Sequence, residues 1–404
     1  MSRVESRGIG RPERRLPVAL LFCGLLVLAV AAVVARNVLL ASDDAPQRPE
    51  LQEILDGLVG ASEVPPGVTS YVSGPRGTWS GSAGYANVET GERMPADARM
   101  RLESVSKAWT ATLILQLVGE GRMRLDDTVE RWLPGLLPDG DRITMRQLLD
   151  HTSGLIDNND IGREPSAYVA RVRDTALRAR LLQVRRRWAA DPTLRFPARL
   201  WVEFAAALPL LSSPGTHYHY SNIGYEIAGL VAEKVGGLQL AGLYDERIVR
   251  PLGLAGAAYD PQGAITGAHA RGYQVSAAGE RMDATAWHGG IGAEGGIVAS
   301  AEDEARFLTA LMRGELLRPA ELAALKSPPS SIGSAYALGV LVVQSDCAGT
   351  AYHHGGAGPG FKTSVFVSGD GNRVAVLLAN GNRNDDPAYY ARIDDATKRL
   401  FCAA

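Results

Sequence analysis

"ESVSKAWTATLILQLVGEG", residues Glu103–Gly121, places a serine three residues before a lysine at the start of an apolar run. The apolar positions from Ala108 to Val118 recur at helical spacing, and the glycine-containing end terminates the run. The spacing predicts a helix that begins close to Ser104. Because residues three apart share one helix face, the side chains of Ser104 and Lys107 are expected to touch. Such a pair is typical either of a capped helix start or of an activated nucleophile.

The composition is that of an ordinary folded protein. The chain has 404 residues, of which 46% are hydrophobic and 21% charged, so it can bury a large core. One large domain and two smaller domains are both compatible with this length. The formal net charge of −2 provides no basic field for a polyanion, so we predict no nucleic-acid partner.

The N-terminus departs from this pattern. Residues 1–15 are rich in arginine, and the next segment, "LPVALLFCGLLVLAVAAVVA" (Leu16–Ala35), has no charge over a bilayer-spanning length. A cleaved signal peptide with a small-residue site at Val33 and Ala35, which would release a secreted domain, is the alternative to an uncleaved anchor. We predict a cytoplasmic basic segment at 1–15, a transmembrane signal-anchor at 16–40, a polar linker at 41–52 and an extracytoplasmic catalytic domain at 53–404.

Strand-like segments occur at both ends of the domain, with helical patterns between them. "GVTSYVSG" and "GTWSGSAGYAN" near the start, and "TAYHHGG", "KTSVFVSG" and "NRVAVLLAN" near the end, place β-branched and aromatic residues between glycine and serine turns. A predicted helix at Pro387–Phe401 closes the chain. The pattern predicts an α/β fold in which one antiparallel sheet, built from both ends of the domain, is flanked by helices and carries an inserted all-helical subdomain.

An arginine-rich stretch lies in the middle of the chain, "YVARVRDTALRARLLQVRRRW" (Tyr168–Trp188), with apolar residues at helical spacing. We predict one amphipathic helix here. Its basic face fits two interpretations, a solvated surface or contact with anionic lipid headgroups or an anionic wall polymer near the membrane.

Two further segments raise the specificity of the Ser104–Lys107 pair, because Ser-x-x-Lys alone occurs by chance about once in a chain of this length. "HYHYSNIGYEIAGLVAEKVGG" adds Tyr220-Ser221-Asn222 at a predicted helix start, and "AYHHGGAGPGF" adds His354-Gly355-Gly356 in a predicted strand. In their order and wide spacing the three motifs resemble those of the penicillin-recognising serine hydrolases, the group of class C β-lactamases, serine D-Ala-D-Ala carboxypeptidases and related esterases. The resemblance covers about residues 67–380.

The resemblance implies a serine β-lactamase-like fold, an acyl-enzyme mechanism and a role for each motif. Ser104 would be the nucleophile, Lys107 its activating partner and Tyr220 the group that passes the proton to the leaving group. Either a neutral Lys107 or a Tyr220 phenolate could be the base, and the sequence leaves both open. The implied substrate-binding residues are Asn222, His354, Gly356 and Ala357, the last of which would join the backbone N–H of Ser104 in binding the oxyanion.

The third motif bears on the substrate. His354 stands where β-lactamases of this group have a lysine, and Gly355 lacks the hydroxyl that many members use to hold a substrate carboxylate, so efficient β-lactamase activity is not expected. Lys362 or Arg271 could supply carboxylate recognition instead. With an extracytoplasmic location, the sequence predicts a D-alanyl-D-alanine carboxypeptidase-like enzyme that acts on a small-molecule or peptide substrate derived from the cell wall. An esterase or weak β-lactamase on the same site, and a non-catalytic sensor, are the alternatives.

The remaining cysteines and histidines have separate interpretations. Outside the cytoplasm Cys347 and Cys402 are a disulfide candidate, with two free thiols as the alternative. His151 is predicted to be a structural turn histidine that hydrogen-bonds to the backbone. Three histidines flank the motifs without an acidic or cysteine ligand, so we predict neither a metal site nor a cofactor: His217, His219 and His353.

Overall fold

The structure is a computed structural model that describes residues 48–59, 65–163, 165–260, 265, 267–276, 278–287, 291–383 and 386–404. The predicted basic segment (1–15), the predicted anchor (16–40) and the first part of the predicted linker lie outside these residues. Within the described part of the chain, no helix combines the length and the apolar character that crossing a bilayer requires.

The strands lie mainly at the two ends of the domain. Across the described residues they are β1 Gly67–Gly74, β2 Gly77–Asn87, β3 Glu92–Arg93, β4 Met100–Arg101, β5 Ala258–Tyr259, β6 Tyr273–Val275, β7 Arg281–Asp283, β8 Ile297–Ala299, β9 Leu341–Ser345, β10 Gly349–Gly358, β11 Phe361–Ser368, β12 Val374–Ala379 and β13 Gly381–Asn382.

The helices lie mostly between β4 and β5. In the same described residues they are α1 Pro49–Asp56, α2 Ser106–Gly119, α3 Val129–Trp132, α4 Met145–Leu149, α5 Asn158–Arg163, α6 Pro165–Val169, α7 Thr175–Ala190, α8 Arg199–Ala206, α9 Asn222–Gly236, α10 Leu240–Tyr244, α11 Arg250–Leu252, α12 Ala301–Met312, α13 Pro319–Leu325 and α14 Pro387–Ala403. Short 3₁₀ turns at Glu103–Val105 and Ser330–Ile332 and a π turn at Asp245–Val249 complete the helical part.

The main sheet combines both ends of the domain, as predicted. Its seven strands are ordered β3-β2-β1-β12-β11-β10-β9. The central pair joins β1 to β12, with Val68 opposite Ala379, and every neighbouring pair is antiparallel. This confirms the α/β class and the antiparallel sheet. Two small sheets, β13-β6-β7 and β4-β8-β5, lie outside it.

Two hydrophobic cores lie on opposite faces of the main sheet, and alternate residues along a strand belong to one core or the other. In β12, Val374, Val376 and Leu378 belong to the core shared with α2, α9 and α12, here called the front core. The residues between them, such as Leu377, belong to the core shared with α1 and α14, called the back core. Because successive side chains point to opposite faces, one continuous apolar strand serves both layers.

Helix α2 runs through the front core, and eleven of its fourteen residues are buried. A helix that is apolar on every side has to be surrounded by protein, so its start is held firmly in place. The turn Glu103–Val105 leads directly into it, which confirms the predicted helix start close to Ser104.

The arginine-rich stretch does not form the single helix predicted for Tyr168–Trp188. Helix α6 ends at Val169 and α7 begins at Thr175. Asp174 caps α7, since its carboxylate accepts the backbone N–H groups of Ala176 and Leu177 at 2.8 and 3.0 Å. Asp174 therefore starts a new helix within a stretch whose apolar spacing alone indicated one continuous helix.

The first and last helices of the described domain meet on the back face. Helix α1 starts at Pro49, within the stretch predicted as linker, because Leu51, Ile54 and Leu55 pack into the back core. Cys347, which follows β9, forms a disulfide with Cys402 of α14, with their Cα atoms 5.4 Å apart. The bond ties the C-terminal helix to the edge of the sheet.

Candidate active site

The predicted nucleophile lies where the 3₁₀ turn enters α2. Lys107, in the first turn of the helix, is fully buried, and its Nζ donates a hydrogen bond to Ser104 Oγ at 2.9 Å. This confirms the contact expected from the three-residue spacing. A serine hydroxyl held against a buried amine is the arrangement that an activated nucleophile needs.

The Tyr-x-Asn motif reaches the same point from another segment. Tyr220 precedes α9, and its hydroxyl donates to Ser104 Oγ at 2.9 Å. Asn222, the first residue of α9, accepts a hydrogen bond from Lys107 Nζ through Oδ1 at 2.6 Å. Between them Ser221 caps the helix by accepting the N–H of Gly224. The cap allows two residues, one on each side of it, to point at the Ser104–Lys107 pair.

The segment after α4 supports this motif. The His151 ring packs on the Tyr220 ring with centroids 4.2 Å apart, and its Nδ1 accepts the N–H of Ser221 at 3.1 Å. His151 is thus the structural histidine predicted from sequence, and burial keeps its pKa well below the ordinary value. Asp157 accepts the backbone N–H of Asn222 at 2.9 Å.

Two further acceptors surround Lys107, and both belong to Glu294. The Nζ atom lies 3.0 Å from the backbone oxygen of Glu294 and 3.4 Å from its Oε2. Sequence reasoning did not select Glu294 as a site residue. Its only signal was its place in a glycine-rich loop before β8, which identifies a close backbone approach but not the partner.

The neighbours of Lys107 decide its charge. Burial by itself would lower the pKa of Lys107, but the Tyr220 phenolate and the Glu294 carboxylate oppose burial and raise the pKa above its ordinary value. Burial also raises the pKa of Tyr220, although the Lys107 ammonium acts in the opposite direction. At neutral pH the resting pair is therefore a charged Lys107 and a neutral Tyr220.

Strand β10 packs against the nucleophile turn. A side chain at Gly356 would collide with the backbone oxygen of Leu102, so glycine allows the strand to approach Ser104 closely. Strand β9 covers β10 only as far as His353. Ala357, the predicted oxyanion donor, is exposed beyond the end of this pairing.

Glu103, immediately before the nucleophile, is an unexpected feature. Its φ of 52° lies in the left-handed region, which non-glycine residues rarely adopt. Its side chain is 4% exposed, and burial raises its pKa to about 8. One carboxyl oxygen, Oε1, has no hydrogen-bond partner among the described residues. Such strain and an unmet polar atom at one residue are typical of a functional site.

His354 is present at the site, but in a neutral form. Its Nδ1 donates to the backbone oxygen of Gly355 at 2.8 Å, and its Nε2 accepts from the Tyr336 hydroxyl at 2.9 Å. Burial, reinforced by the positive charge of Lys107, lowers its pKa to about 3. The side chain is 4% exposed. His354 therefore provides no positive charge for a substrate carboxylate.

The two alternative carboxylate binders point elsewhere. Lys362 pairs with Ala357 across the sheet, and its Nζ lies 3.5 Å from Asp394 of α14, on the back face. Arg271 is exposed and forms an ion pair with Asp283 at 2.7 Å. Both cations already have carboxylate partners.

The three histidines that flank the motifs have separate partners. His219 Nε2 lies 2.8 Å from Asp160 Oδ2, His217 bonds to Thr216, and His353 stacks on Phe366 in the back layer. Across the residues that the structure describes, no three histidine, cysteine or acidic side chains are grouped as metal ligands.

Comparisons with known proteins agree with this architecture. Penicillin-binding protein 4* of Bacillus subtilis (strain 168) is 24% identical over 337 residues, which are 79% of this chain and 68% of that protein. A D-aminopeptidase of Cereibacter sphaeroides (strain ATCC 17029 / ATH 2.4.9) is 26% identical over 339 residues, 82% of this chain and 59% of that protein. The chain thus spans between roughly three fifths and two thirds of the length of these two relatives.

A solved structure gives the same result. The D-stereospecific amidohydrolase from Streptomyces sp. superposes with a TM-score of 0.72 and 28% identity, covering 89% of this chain and 100% of that one. The family model described as Beta-lactamase matches residues 51–398, which include every residue of the candidate site. The chain therefore belongs to the beta-lactamase family.

Proposed function

We propose that this protein is a serine hydrolase that forms an acyl-enzyme on Ser104 and cleaves amide bonds after a D-amino-acyl group. One observation carries the mechanism: Ser104 Oγ lies 2.9 Å from both Lys107 Nζ and the Tyr220 hydroxyl. A nucleophile with two proton-transfer partners is equipped for both acylation and hydrolysis of the acyl-enzyme.

The proposed reaction begins with loss of one proton from the Lys107–Tyr220 pair. The deprotonated pair accepts the Ser104 proton as Oγ attacks the substrate carbonyl carbon. The resulting oxyanion is bound by the backbone N–H groups of Ser104 and Ala357, a contribution typically worth 10²–10³ in rate per donor. Tyr220 then delivers a proton to the leaving nitrogen, the bond to it breaks, and water later releases the acid from Ser104.

The surroundings of His354 argue for the type of leaving group. A carboxypeptidase binds a C-terminal carboxylate, and such binding normally uses a cation or several donors. Here His354 is neutral, while Lys362 and Arg271 are paired with Asp394 and Asp283. A leaving group without a carboxylate, such as ammonia, an amine or a peptide joined through its amino end, fits this site better. The relatives named D-aminopeptidase and D-stereospecific amidohydrolase support this substrate class.

The D-Ala-D-Ala carboxypeptidase predicted from sequence is the second candidate. Penicillin-binding protein 4*, similar to 79% of this chain, supports it. For the location we keep the sequence-based proposal of a single-pass anchor at 16–40 with the enzyme outside the cytoplasm. There, peptides that contain D-amino acids and derive from the cell wall would be available.

Substrate pairs with different leaving groups test this proposal on the full-length chain. We expect D-alanine p-nitroanilide to be hydrolysed at least about tenfold better, in kcat/KM, than diacetyl-L-lysyl-D-alanyl-D-alanine. Intact mass after brief exposure to p-nitrophenyl acetate should reveal an acetyl adduct that is absent in Ser104→Ala. Preferred cleavage of the D-Ala-D-Ala peptide would establish the second candidate, and the absence of an adduct on Ser104 would overturn the mechanism itself.

A further inference from the structure

Two carboxyl groups beside the nucleophile have no part in the three motifs. Glu294 lies in the loop before β8, and its side chain is 12% exposed, with Oε2 3.4 Å from Lys107 Nζ. Glu103 lies in the nucleophile turn. The backbone of Glu103 lies within van der Waals distance of Gly295, which follows Glu294, and, in addition to burial, the charge of Glu294 acts on the Glu103 carboxyl group and raises its pKa. Both carboxyl groups therefore belong to the immediate surroundings of Ser104.

Hydrogen bonds from the surrounding helices hold the backbone of the loop that carries Glu294, and this restricts the position of the Glu294 carboxylate. The N–H of Glu294 donates to Glu226 Oε1 at 3.0 Å, and its carbonyl accepts from Lys107 Nζ at 3.0 Å. Thr110 of α2 donates to the backbone oxygen of Ala293 at 2.5 Å. A carboxylate on such a loop is preorganised, which reduces the entropy that a ligand has to overcome.

Glu103 contributes an unsatisfied acceptor. Its carboxyl group packs against Gly358 of β10, where any side chain would collide with it. Oε1 is buried and has no hydrogen-bond partner among the described residues. A buried polar atom without a partner lowers stability unless a ligand donates a hydrogen bond to it. A cation beside this carboxyl would also favour its ionised form.

The carboxyl groups around Ser104 differ in charge. Glu294 contacts the Lys107 ammonium, whereas burial raises the pKa of Glu103 and of Glu226 to about 8, so both are largely protonated at neutral pH, although the Arg101 guanidinium opposes this rise at Glu103. Of the three basic residues that the sequence suggested for substrate binding, His354 is neutral, and Lys362 and Arg271 are paired with carboxylates. A substrate ammonium would be attracted by the Glu294 carboxylate and would favour the ionised form of Glu103, whereas a substrate carboxylate would be repelled by Glu294.

We propose that Glu294, together with the unpartnered oxygen of Glu103, forms an anionic subsite that binds the free ammonium group of the amino-acyl substrate. This inference rests on the proposed function, because the ammonium has to belong to the acyl group that Ser104 receives. The subsite makes the enzyme selective for D-amino acids with an unblocked amino group, and it makes Glu294 a specificity residue.

Two p-nitroanilides that differ at the amino group test the subsite: D-alanine p-nitroanilide, which carries an ammonium, and its N-acetyl derivative, which is neutral and larger. For the full-length wild-type enzyme we expect kcat/KM to favour the free amine by at least about tenfold. In Glu294→Gln this preference should fall by about tenfold or more, chiefly because KM for the free-amine substrate rises. Glu294→Asp, which keeps the charge, should restore much of the preference. Glu302→Gln, an exposed acid-to-amide change on α12, is the matched control.

The outcomes separate the subsite from the proposed function. A wild-type preference for the N-acetyl substrate, or the same preference in Glu294→Gln as in the wild type, would overturn the subsite. Should Glu294→Gln fail to fold, Glu103→Gln measured in the same way decides, and an unchanged preference there would also count against the subsite. If p-nitrophenyl acetate acylates Ser104 but neither anilide is cleaved, the subsite fails and the nucleophile stands. If nothing acylates Ser104, both proposals fail.

Discussion

Lys107 and His354 are both buried basic side chains at this site, yet they carry different charges. Lys107 is fully buried and contacts Glu294, Asn222 and Ser104, and its pKa is raised despite burial. His354 is 4% exposed, and its pKa falls to about 3. Burial acts on both in the same direction, so the difference comes from their partners.

The partners explain the contrast. Lys107 has a carboxylate at 3.4 Å, whereas the two nitrogens of His354 meet a backbone oxygen and a phenol, which a neutral imidazole satisfies completely. The comparison teaches that a basic residue in a motif does not by itself provide a positive charge. In this site the positive charge lies on Lys107, beside the nucleophile, and His354 of the neighbouring strand β10 carries none.

Removal of the charged member should have the largest effect. In Lys107→Met we expect kcat/KM for p-nitrophenyl acetate to fall by about 10²–10⁴, because Ser104 loses its proton-transfer partner while a side chain of similar length remains. Lys398→Met, an exposed change on α14, serves as the control. Retention of more than about a tenth of wild-type activity would show that Tyr220 suffices.

The second prediction concerns the charge that holds Lys107 protonated. Glu294→Gln removes a negative charge that raises the pKa of both Lys107 and Tyr220. A lower pKa means that the deprotonated, reactive pair appears at lower pH. We therefore expect the rising limb of kcat/KM against pH to move down by about one pH unit with p-nitrophenyl acetate. That substrate has no ammonium group, so the profile reports on the pair alone. Glu302→Gln should leave the limb in place.

His354 should matter much less. Because its pKa is about 3, it stays neutral throughout the working range. We expect His354→Gln, which keeps one donor and one acceptor, to change kcat/KM for neutral esters by less than about tenfold and to leave the pH profile in place. The imidazole NMR resonances of the wild type should be constant between pH 5 and 8. A titration in that interval would contradict the neutral assignment.

The last prediction concerns stability rather than activity. Burial raises the pKa of Glu226 to about 8, so the folded protein holds a proton that the unfolded chain releases above about pH 4.5. This contribution is present at low pH and is lost as the pH rises towards 8, by at most about 1.4 kcal/mol per pH unit. Glu226→Gln cannot lose that proton. Its melting temperature relative to the wild type should therefore rise between pH 5 and 8, as calorimetry can measure, while a constant difference would refute the assignment.

Motif spacing predicted much of the site. The three-residue interval put Lys107 against Ser104, and the Tyr-x-Asn motif brought Tyr220 and Asn222 to the same pair. Helical spacing alone predicted the contact between Ser104 and Lys107, whereas Tyr220 and Asn222 were assigned from the resemblance of the three ordered motifs to a known family. The sheet built from both ends of the domain was also predictable from strand patterns.

The missed features depend on contacts between distant segments. Glu294 is 187 residues from Lys107 in sequence, and no local pattern pairs them. Lys362 was a plausible carboxylate binder until the register of β10 and β11 placed it with Ala357 and Asp394. A strand alternates its faces, and only its neighbours decide which face meets the site.

The sequence by itself determined the elements and the chemistry available: an apolar helix behind a serine and a lysine, strands at both ends, and the three ordered motifs. The helix and the strands follow from short-range spacing, and the motifs follow from their residue types and their order along the chain. Only the tertiary structure decided the charges. Whether Lys107 is protonated, whether His354 is neutral and whether Glu103 keeps an unpartnered oxygen all depend on burial and on side chains from remote segments, because electrostatic energies in a protein interior are set by neighbours in space.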